Sequence, residues 1–166
     1  MNYIAQGATA LGILLCVVAP FHASAALLSY GDPAPVLRPA SSGVVALPVL
    51  LTLDNGECVN AADIKLEVPE ASFTYIDHDK SESGFSLWLS ETFDKSSNAL
   101  ELIAGTPKPL CGGPLRTTFE LAKVVLEQHA TGVLDFGRDS VVTLSDGYGS
   151  ETTISYMPRV LRLAHQ

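Results

Sequence analysis

The chain's only tryptophan lies in an alternating stretch, Gly84-Phe85-Ser86-Leu87-Trp88-Leu89-Ser90-Glu91-Thr92-Phe93. Phe85, Leu87 and Leu89 occupy odd-numbered positions of this stretch, and Trp88 occupies an even-numbered position. Both alternating sets of side chains therefore include a large apolar residue. Successive side chains of a β-strand leave opposite faces of a sheet, so alternation with period two predicts a strand. Because both faces carry apolar side chains, we expect this strand to be covered on both sides, in the middle of a packed β-domain.

Two earlier runs also have strand patterns. Val44–Leu53 is rich in Val and Leu and is followed by Asn55-Gly56, a pair that favours a tight turn. After the turn, residues 58–68 alternate between an apolar face and a polar face. The apolar face carries Ala62, Ile64, Leu66 and Val68, and the polar face carries Asp63, Lys65 and Glu67. This alternation predicts a strand with one face in solvent.

The remaining apolar segments are short and are separated by Gly, Pro, Asn and Asp. Strands are predicted at residues 73–76, 99–104, 115–126, 133–136 and 140–144, with loops at 77–84 and 105–114. An edge strand is expected at 27–30, and residues 154–163 form either a final edge strand or a segment broken by Pro158. About nine or ten short strands with turn residues between them, and no helix, predict an all-β sandwich or barrel.

Residues 1–25 have the pattern of a secretory signal peptide. An apolar run over residues 10–19 is too short to span a bilayer comfortably, and it precedes Ala23-Ser24-Ala25, a small-residue site of the kind that signal peptidase requires. An uncleaved anchor is the alternative. Residues 26–166 contain no second apolar run of spanning length, so we expect no membrane insertion of the mature chain. The protein is predicted to be secreted or held at the cell surface.

The charge of the chain limits the classes of partner. The net charge is −8 at pH 7, and residues 1–25 contain no Asp, Glu, Lys or Arg. Nucleic acids and anionic lipids require clustered Lys and Arg, so neither is expected as a partner.

Beyond Cys16 in the leader, the chain contains only Cys58 and Cys111. In an exported protein such a pair predicts a disulfide, which would stabilise the fold by roughly 4 kcal/mol in the chain-entropy model. The alternative is a metal-binding pair of thiols, but no nearby His is available to complete such a site.

Six segments resemble, in order and spacing, the signature stretches of cohesin-like domains. They are residues 60–66 (Asn-Ala-Ala-Asp-Ile-Lys-Leu), 86–93, 104–109, 118–123, 130–132 and 140–149. The resemblance covers residues 44–150. It divides the chain into a signal peptide at 1–25, an extended lead-in at 26–43, the cohesin-like β-sandwich at 44–150, and a C-terminal edge strand or tail at 151–166.

The resemblance implies a nine-stranded jelly-roll β-sandwich of the carbohydrate-binding-module superfamily. Its best-known members dock dockerin modules in cellulosomes, and others are single bacterial surface domains. Some surface members place cysteines at positions that match Cys58 and Cys111. The implied function is therefore a non-catalytic extracellular binding module with a protein partner, and the alternative is a carbohydrate-binding module that recognises a polysaccharide.

The two functions would use different residues. A protein partner is expected on the polar strand face that carries Asp63, Lys65 and Glu67. A polysaccharide would instead require solvent-exposed aromatic side chains in line, drawn from Tyr75, Trp88, Tyr148 and Tyr156. Trp88 is also interpreted as a core residue that seals the sandwich.

No catalytic, metal or cofactor site is predicted. Carboxylates such as Glu67, Glu70, Asp77 and Asp79 form no recognisable pair for glycoside hydrolysis, and no nucleophile elbow or zinc-binding helix motif occurs. The loop residues Asp77, His78, Asp79 and Glu82 lack the full calcium-loop pattern, so a solvated loop is expected there.

Overall fold

The structure is a computed structural model that describes residues 25–36 and 43–162. The predicted signal peptide lies outside the described residues except for Ala25, which begins the first strand.

The described residues form strands and no helix. The strands are β1 (Ala25–Tyr30), β2 (Ala34–Pro35), β3 (Val44–Leu53), β4 (Cys58–Glu67), β5 (Phe73–Asp79), β6 (Leu87–Asp94), β7 (Ala99–Cys111), β8 (Thr117–Gln128), β9 (Gly132–Phe136), β10 (Val141–Leu144), β11 (Thr153–Met157) and β12 (Arg159–Leu161). The all-β sandwich is confirmed, with twelve strands in place of the nine expected. The additional strands include β2, which is two residues long, and the pair β11 and β12, which Pro158 separates.

The strands form two sheets. The first sheet has the order β11-β1-β3-β8-β5, and β2 also pairs with β3. The second sheet has the order β12-β9-β4-β7-β6, and β10 also pairs with β4. β1 and β11 run parallel, and the other pairings among the described strands are antiparallel.

The core lies between the two sheets. From β4 it receives Ala62, Ile64 and Leu66, each at most 2% exposed, as the alternation predicted. Leu47, Val49 and Leu51 of β3 face them from the first sheet and are fully buried. The period of two in β4 therefore places its polar residues on the outer surface of the second sheet.

The prediction that the Trp88 strand lies in the middle of the domain is wrong, because β6 is an edge strand of the second sheet. Leu87 and Leu89 are 52% and 78% exposed, and Trp88 is partly buried against the core. The strand register shifts between Trp88 and Ser90, which interrupts the alternation. Phe85 does reach the core, but it precedes the strand.

Two strands extend into predicted loops. β5 continues through polar residues to Asp79, and β7 continues through Gly105 and Pro107 to Cys111. The extension of β5 pairs with β8, and the register shifts between Tyr75 and Asp77. The extension of β7 pairs with β4, where the register shifts between Val59 and Ala61. Ladder hydrogen bonds use the backbone, so a bulged strand accommodates residues whose side chains suggest a loop.

The strand predicted at residues 27–30 is present as β1, but its predicted position at the edge is wrong, because β1 lies between β11 and β3. The last apolar segment is broken at Pro158: β11 joins the first sheet and β12 joins the second. Proline has no amide proton to donate to a ladder, which explains why the chain changes sheets at this residue.

Cys58 and Cys111 form the predicted disulfide. They lie directly opposite one another on β4 and β7, and their Cα atoms are 4.0 Å apart. The bond joins the first residue of β4 to the last residue of β7 and closes a loop with a sequence separation of 53.

Replacing both cysteines by alanine should lower the free energy of unfolding by roughly 4 kcal/mol, because the unfolded chain regains the entropy of the open loop. Urea denaturation of the oxidised protein and of the double variant measures the difference. Non-reducing mass spectrometry should find the Cys58–Cys111 linked peptide. Free thiols at both positions in the exported protein would contradict the assignment.

Leu66→Ala should destabilise the protein by about 2–5 kcal/mol, because it leaves a cavity between the sheets. Leu89→Ala makes the same chemical change at a side chain that is 78% exposed, and its effect should stay within about 0.5 kcal/mol. Denaturant midpoints of the two variants provide the comparison. Equal losses of stability would show that Leu89 is packed in solution.

Candidate functional site

The outer surface of the second sheet gathers the predicted partner-binding residues. Asp63, Lys65 and Glu67 alternate with buried residues along β4 and therefore share its outward side. The neighbouring strand β7 places Glu101 opposite Lys65 and Ile103 opposite Asp63. The prediction that β4 has one face in solvent is confirmed.

The turn between β9 and β10 adds a carboxylate to this surface. The Gly137 amide donates to the Lys65 carbonyl at 2.8 Å, and the Lys65 amide donates to the Ser140 hydroxyl at 3.0 Å. These bonds hold the turn against β4, so that Asp139 forms an ion pair with the Lys65 ammonium. We call Asp63, Lys65, Glu67, Glu101 and Asp139 the acidic face.

The acidic face carries four carboxylates and a single ammonium group, that of Lys65. The hydrogen bond and ion pair with Asp139 raise the pKa of Lys65 and lower the pKa of Asp139. Burial raises the pKa of Asp63, as does the negative charge of Glu101, while Lys65 opposes the shift. Lys65 is therefore engaged by Asp139, and the remaining carboxylates of the face favour a positively charged group.

Exposed apolar side chains border the acidic face. Thr92 of β6 lies opposite Glu101, and Leu87 lies opposite Gly105, further along the same side of β7. Leu89 is the residue passed over at the register shift of β6. The two leucines thus lie at the edge of the sheet that carries the carboxylates, with more than half of each side chain in solvent.

Sequence reasoning did not identify every residue of this surface. Residues 99–104 were predicted as a strand, so the alternation of their side chains could have placed Glu101 on the outer face. Asp139 has no local signal, since its contact with Lys65 spans 74 positions. Leu87 and Leu89 are exposed because β6 is an edge strand. Their apolar side chains had instead predicted a covered strand.

The aromatic residues considered for polysaccharide binding are scattered. Tyr75 stacks on Phe93 with ring centroids 4.5 Å apart. Trp88 lies under the Lys80 ammonium, which is 5.2 Å from the ring centroid. Tyr148 is 91% exposed, on the turn that follows β10.

The ring centroids of Tyr156 and Phe136 are 6.1 Å apart, and the Arg138 guanidinium lies over the Tyr156 ring. Tyr75 lies on β5 and Tyr156 on β11, at opposite edges of the first sheet, whereas Trp88 lies on β6 of the second sheet. The four rings therefore belong to separate elements of the sandwich.

The polar residues around 77–82 are engaged in local contacts. His78 Nε2 lies 2.6 Å from a Glu91 carboxylate oxygen, and the Glu91 carboxylate also pairs with Lys80. Asp79 accepts bonds from Ser81, which lower its pKa, and Glu82 pairs with Lys123. Across residues 25–36 and 43–162, no three His, Cys, Asp or Glu side chains are placed to hold a metal ion.

No helix among the described residues has the length and apolar character needed to span a bilayer. No protein-family model matches the sequence, and no curated protein matches it significantly.

Solved structures of cohesins are similar to this chain. The cohesin module of a family 33 glycoside hydrolase from Clostridium perfringens matches with a TM-score of 0.59 at 12% identity, covering 84% of this chain and 96% of that module. The sixth cohesin of scaffoldin B from Acetivibrio cellulolyticus, in complex with a Cel5 dockerin mutant, matches with a TM-score of 0.54 at 12% identity, covering 81% and 96%.

A type II cohesin domain from the cellulosome of Acetivibrio cellulolyticus matches with a TM-score of 0.53 at 13% identity, covering 84% of this chain and 95% of that domain. These matches span nearly the whole length of each cohesin, and they agree with the two-sheet topology described above. At these identities the likeness establishes the fold, and the chain is a cohesin-like β-sandwich.

Proposed function

We propose that this protein is an exported, non-catalytic binding module that captures a protein partner on the acidic face. The observation that carries the proposal is the combination, on one outer sheet surface, of unneutralised carboxylates with the exposed leucines of β6. The fold supports it, because similar cohesins were solved in complex with dockerins.

The chemistry of the face indicates the kind of partner. Protein interfaces gain affinity from apolar anchors that enter desolvated pockets and gain specificity from charges that match those of the partner. Leu87 and Leu89 are the apolar anchors on this side. The carboxylates of Asp63, Glu67 and Glu101 would pair with Lys or Arg side chains of the partner. We therefore infer a partner with a basic segment and an apolar patch.

The signal-peptide pattern of residues 1–25 supports a location outside the cell. We infer export through residues 1–25 to the medium or the cell surface, where a disulfide is stable. Cleavage after Ala25 leaves residues 26–30 of β1 paired in the first sheet. The net charge of −8 gives no support to binding of nucleic acid.

Partner capture should depend on the acidic face. The oxidised chain is immobilised and exposed to the extracellular proteins of the source cells, and the captured protein is identified by mass spectrometry, purified and titrated. The triple replacement of Asp63, Lys65 and Glu67 by alanine should weaken its affinity at least about tenfold, and Leu89→Ala should weaken it by a similar factor.

Glu127→Ala is the matched control, because Glu127 lies on β8 in the first sheet and should leave affinity unchanged. A captured protein that binds the triple variant as tightly as the original chain would rule out the acidic face as its site.

Asp63→Asn should raise the free energy of unfolding at pH 7. The folded pKa of Asp63 is above its ordinary value, so its stabilising contribution is present at low pH and is lost as the pH rises through the folded pKa. The asparagine keeps the neutral form, and the difference from the original chain should disappear near pH 3. Urea denaturation across this pH range measures the effect.

Asp94→Asn is a control with the opposite sign. Hydrogen bonds from Ser97 and Ser96 lower the pKa of Asp94 to about 2, so its contribution is present at neutral pH and is lost as the pH falls toward about 2. That variant should be destabilised at pH 7. An Asp63→Asn variant less stable than the original chain at pH 7 would show that attraction to Lys65 outweighs burial and the neighbouring carboxylates.

A further inference from the structure

The second sheet ends in two different edge strands. Its order is β12-β9-β4-β7-β6, so β12 and β6 lie on opposite sides of the sheet, roughly 19 Å apart at about 4.8 Å per strand. Among the described strands, β12 pairs only with β9 and β6 pairs only with β7. An edge strand leaves one row of backbone groups without a ladder partner, so it is a place where another chain can dock.

The β6 edge is apolar and acidic. Leu87 and Leu89 are exposed along it, and the outer surface beside them belongs to the acidic face through Glu101 of β7. Asp94, the last residue of β6, is also exposed. This edge therefore matches a partner that carries apolar side chains and a positive charge.

The β12 edge has a different apolar patch. Val160 is 55% exposed and lies directly opposite Val133 of β9, which is 46% exposed. Both valines point away from the core, because the adjacent residues Leu134 and Leu161 are buried. The patch formed by Val133 and Val160 therefore lies on the same outer surface of the sheet as the acidic face.

The chain around β12 is basic. Residues 152–166 contain Arg159 and Arg162 and no Asp, Glu or Lys. The Arg159 guanidinium lies 2.8 Å from the Asp32 carboxylate, which offsets its charge. Arg162 is exposed, two positions after Val160. We call residues 157–162 the basic segment.

The basic segment is held in a fixed position. The Gln128 side-chain nitrogen donates to the Leu161 carbonyl at 3.1 Å, and the Leu161 side chain is buried in the core. The ion pair of Arg159 with Asp32 ties the segment to the loop between β1 and β2. A segment that is ordered before docking loses little conformational entropy on binding.

We propose that the partner of the acidic face is a second copy of this chain, whose basic segment docks at the β6 edge. The inference rests on the proposed function and names the partner of that same face. Val160 of one copy packs on Leu87 and Leu89 of the next, and Arg162 pairs with the carboxylates of the acidic face. The chain thus carries, at one edge of the sheet, the basic and apolar groups that the other edge requires.

The contact forms between molecules. Three strands separate β12 from β6, so the basic segment does not reach the β6 edge of its own copy. The two docking surfaces differ, so the interface is heterologous, and every docked copy still offers one surface of each kind to further copies. Docking therefore continues beyond a dimer, into a head-to-tail row or ring.

Sedimentation velocity of the oxidised, exported chain measures this association directly. The protein concentration runs from about 10 µM to about 1 mM, which covers weak contacts. The salt concentration is about 0.15 M, where the Debye length of about 8 Å screens the long-range repulsion between copies of net charge −8 but not a contact pair. The average mass should rise with concentration and pass that of a dimer.

Arg162→Glu and Leu89→Lys, both at exposed positions, should each weaken the association at least about tenfold. Lys108→Glu changes the net charge by the same amount as Arg162→Glu, and Leu115→Lys matches Leu89→Lys at a leucine that is 82% exposed. Both control positions lie outside the two docking surfaces, so both controls should associate like the original chain. Mixing Arg162→Glu with Leu89→Lys should give a complex of one copy of each, because each variant keeps the surface that the other lacks.

The proposal is overturned if the chain stays monomeric up to about 1 mM, if growth stops at a dimer, or if either edge variant associates like the original chain. Equal weakening by the controls also overturns it, since net charge would then explain the effect. A monomeric chain that still captures another protein on the acidic face would overturn this inference alone. Self-association that survives the triple replacement of Asp63, Lys65 and Glu67 would instead overturn the acidic face as its site, and with it both proposals.

Discussion

The alternation of β4 from Ala62 to Glu67 is the constraint on which the rest of the structure depends. Ile64 and Leu66 are 1% exposed and face the first sheet across the core, and that burial turns Asp63, Lys65 and Glu67 outward. A shift of one residue would place charged groups in the core and leave the large aliphatic side chains in water. The same strand pairs with β7, β9 and β10, so its register also sets the partners of Cys58 and of Lys65.

The sequence predicted well the elements in which side-chain polarity and backbone pairing agree. In β4 the apolar residues from Ala62 to Leu66 face inward, and the turn at Asn55-Gly56 joins this strand to β3, so pattern and structure coincide. In β5, β6 and β7 they diverge. Asp77 and Gly105 continue strands because their backbones reach a neighbouring ladder, and Leu87 is exposed because β6 has no further neighbour in its sheet. These outcomes depend on the order of the strands, which a local pattern does not contain.

The candidate sites follow the same division. Asp63, Lys65 and Glu67 were identified from one strand because alternation alone places them on one face. Asp139 joins them through a turn distant in sequence.

The parallel pairing of β1 with β11 has a mechanical consequence. Ala25 lies beside Thr153 and Ser29 lies beside Met157, so the chain enters this pair at one end of the sandwich and leaves it at the other. Tension applied through the two chain ends would first detach the three-residue strand β12 from β9. It would then pull β1 and β11 past one another along their length, which loads all of their hydrogen bonds together. An antiparallel pair pulled from adjacent ends would instead open one bond at a time. The arrangement of the terminal strands therefore favours a domain that resists stretching along its own chain.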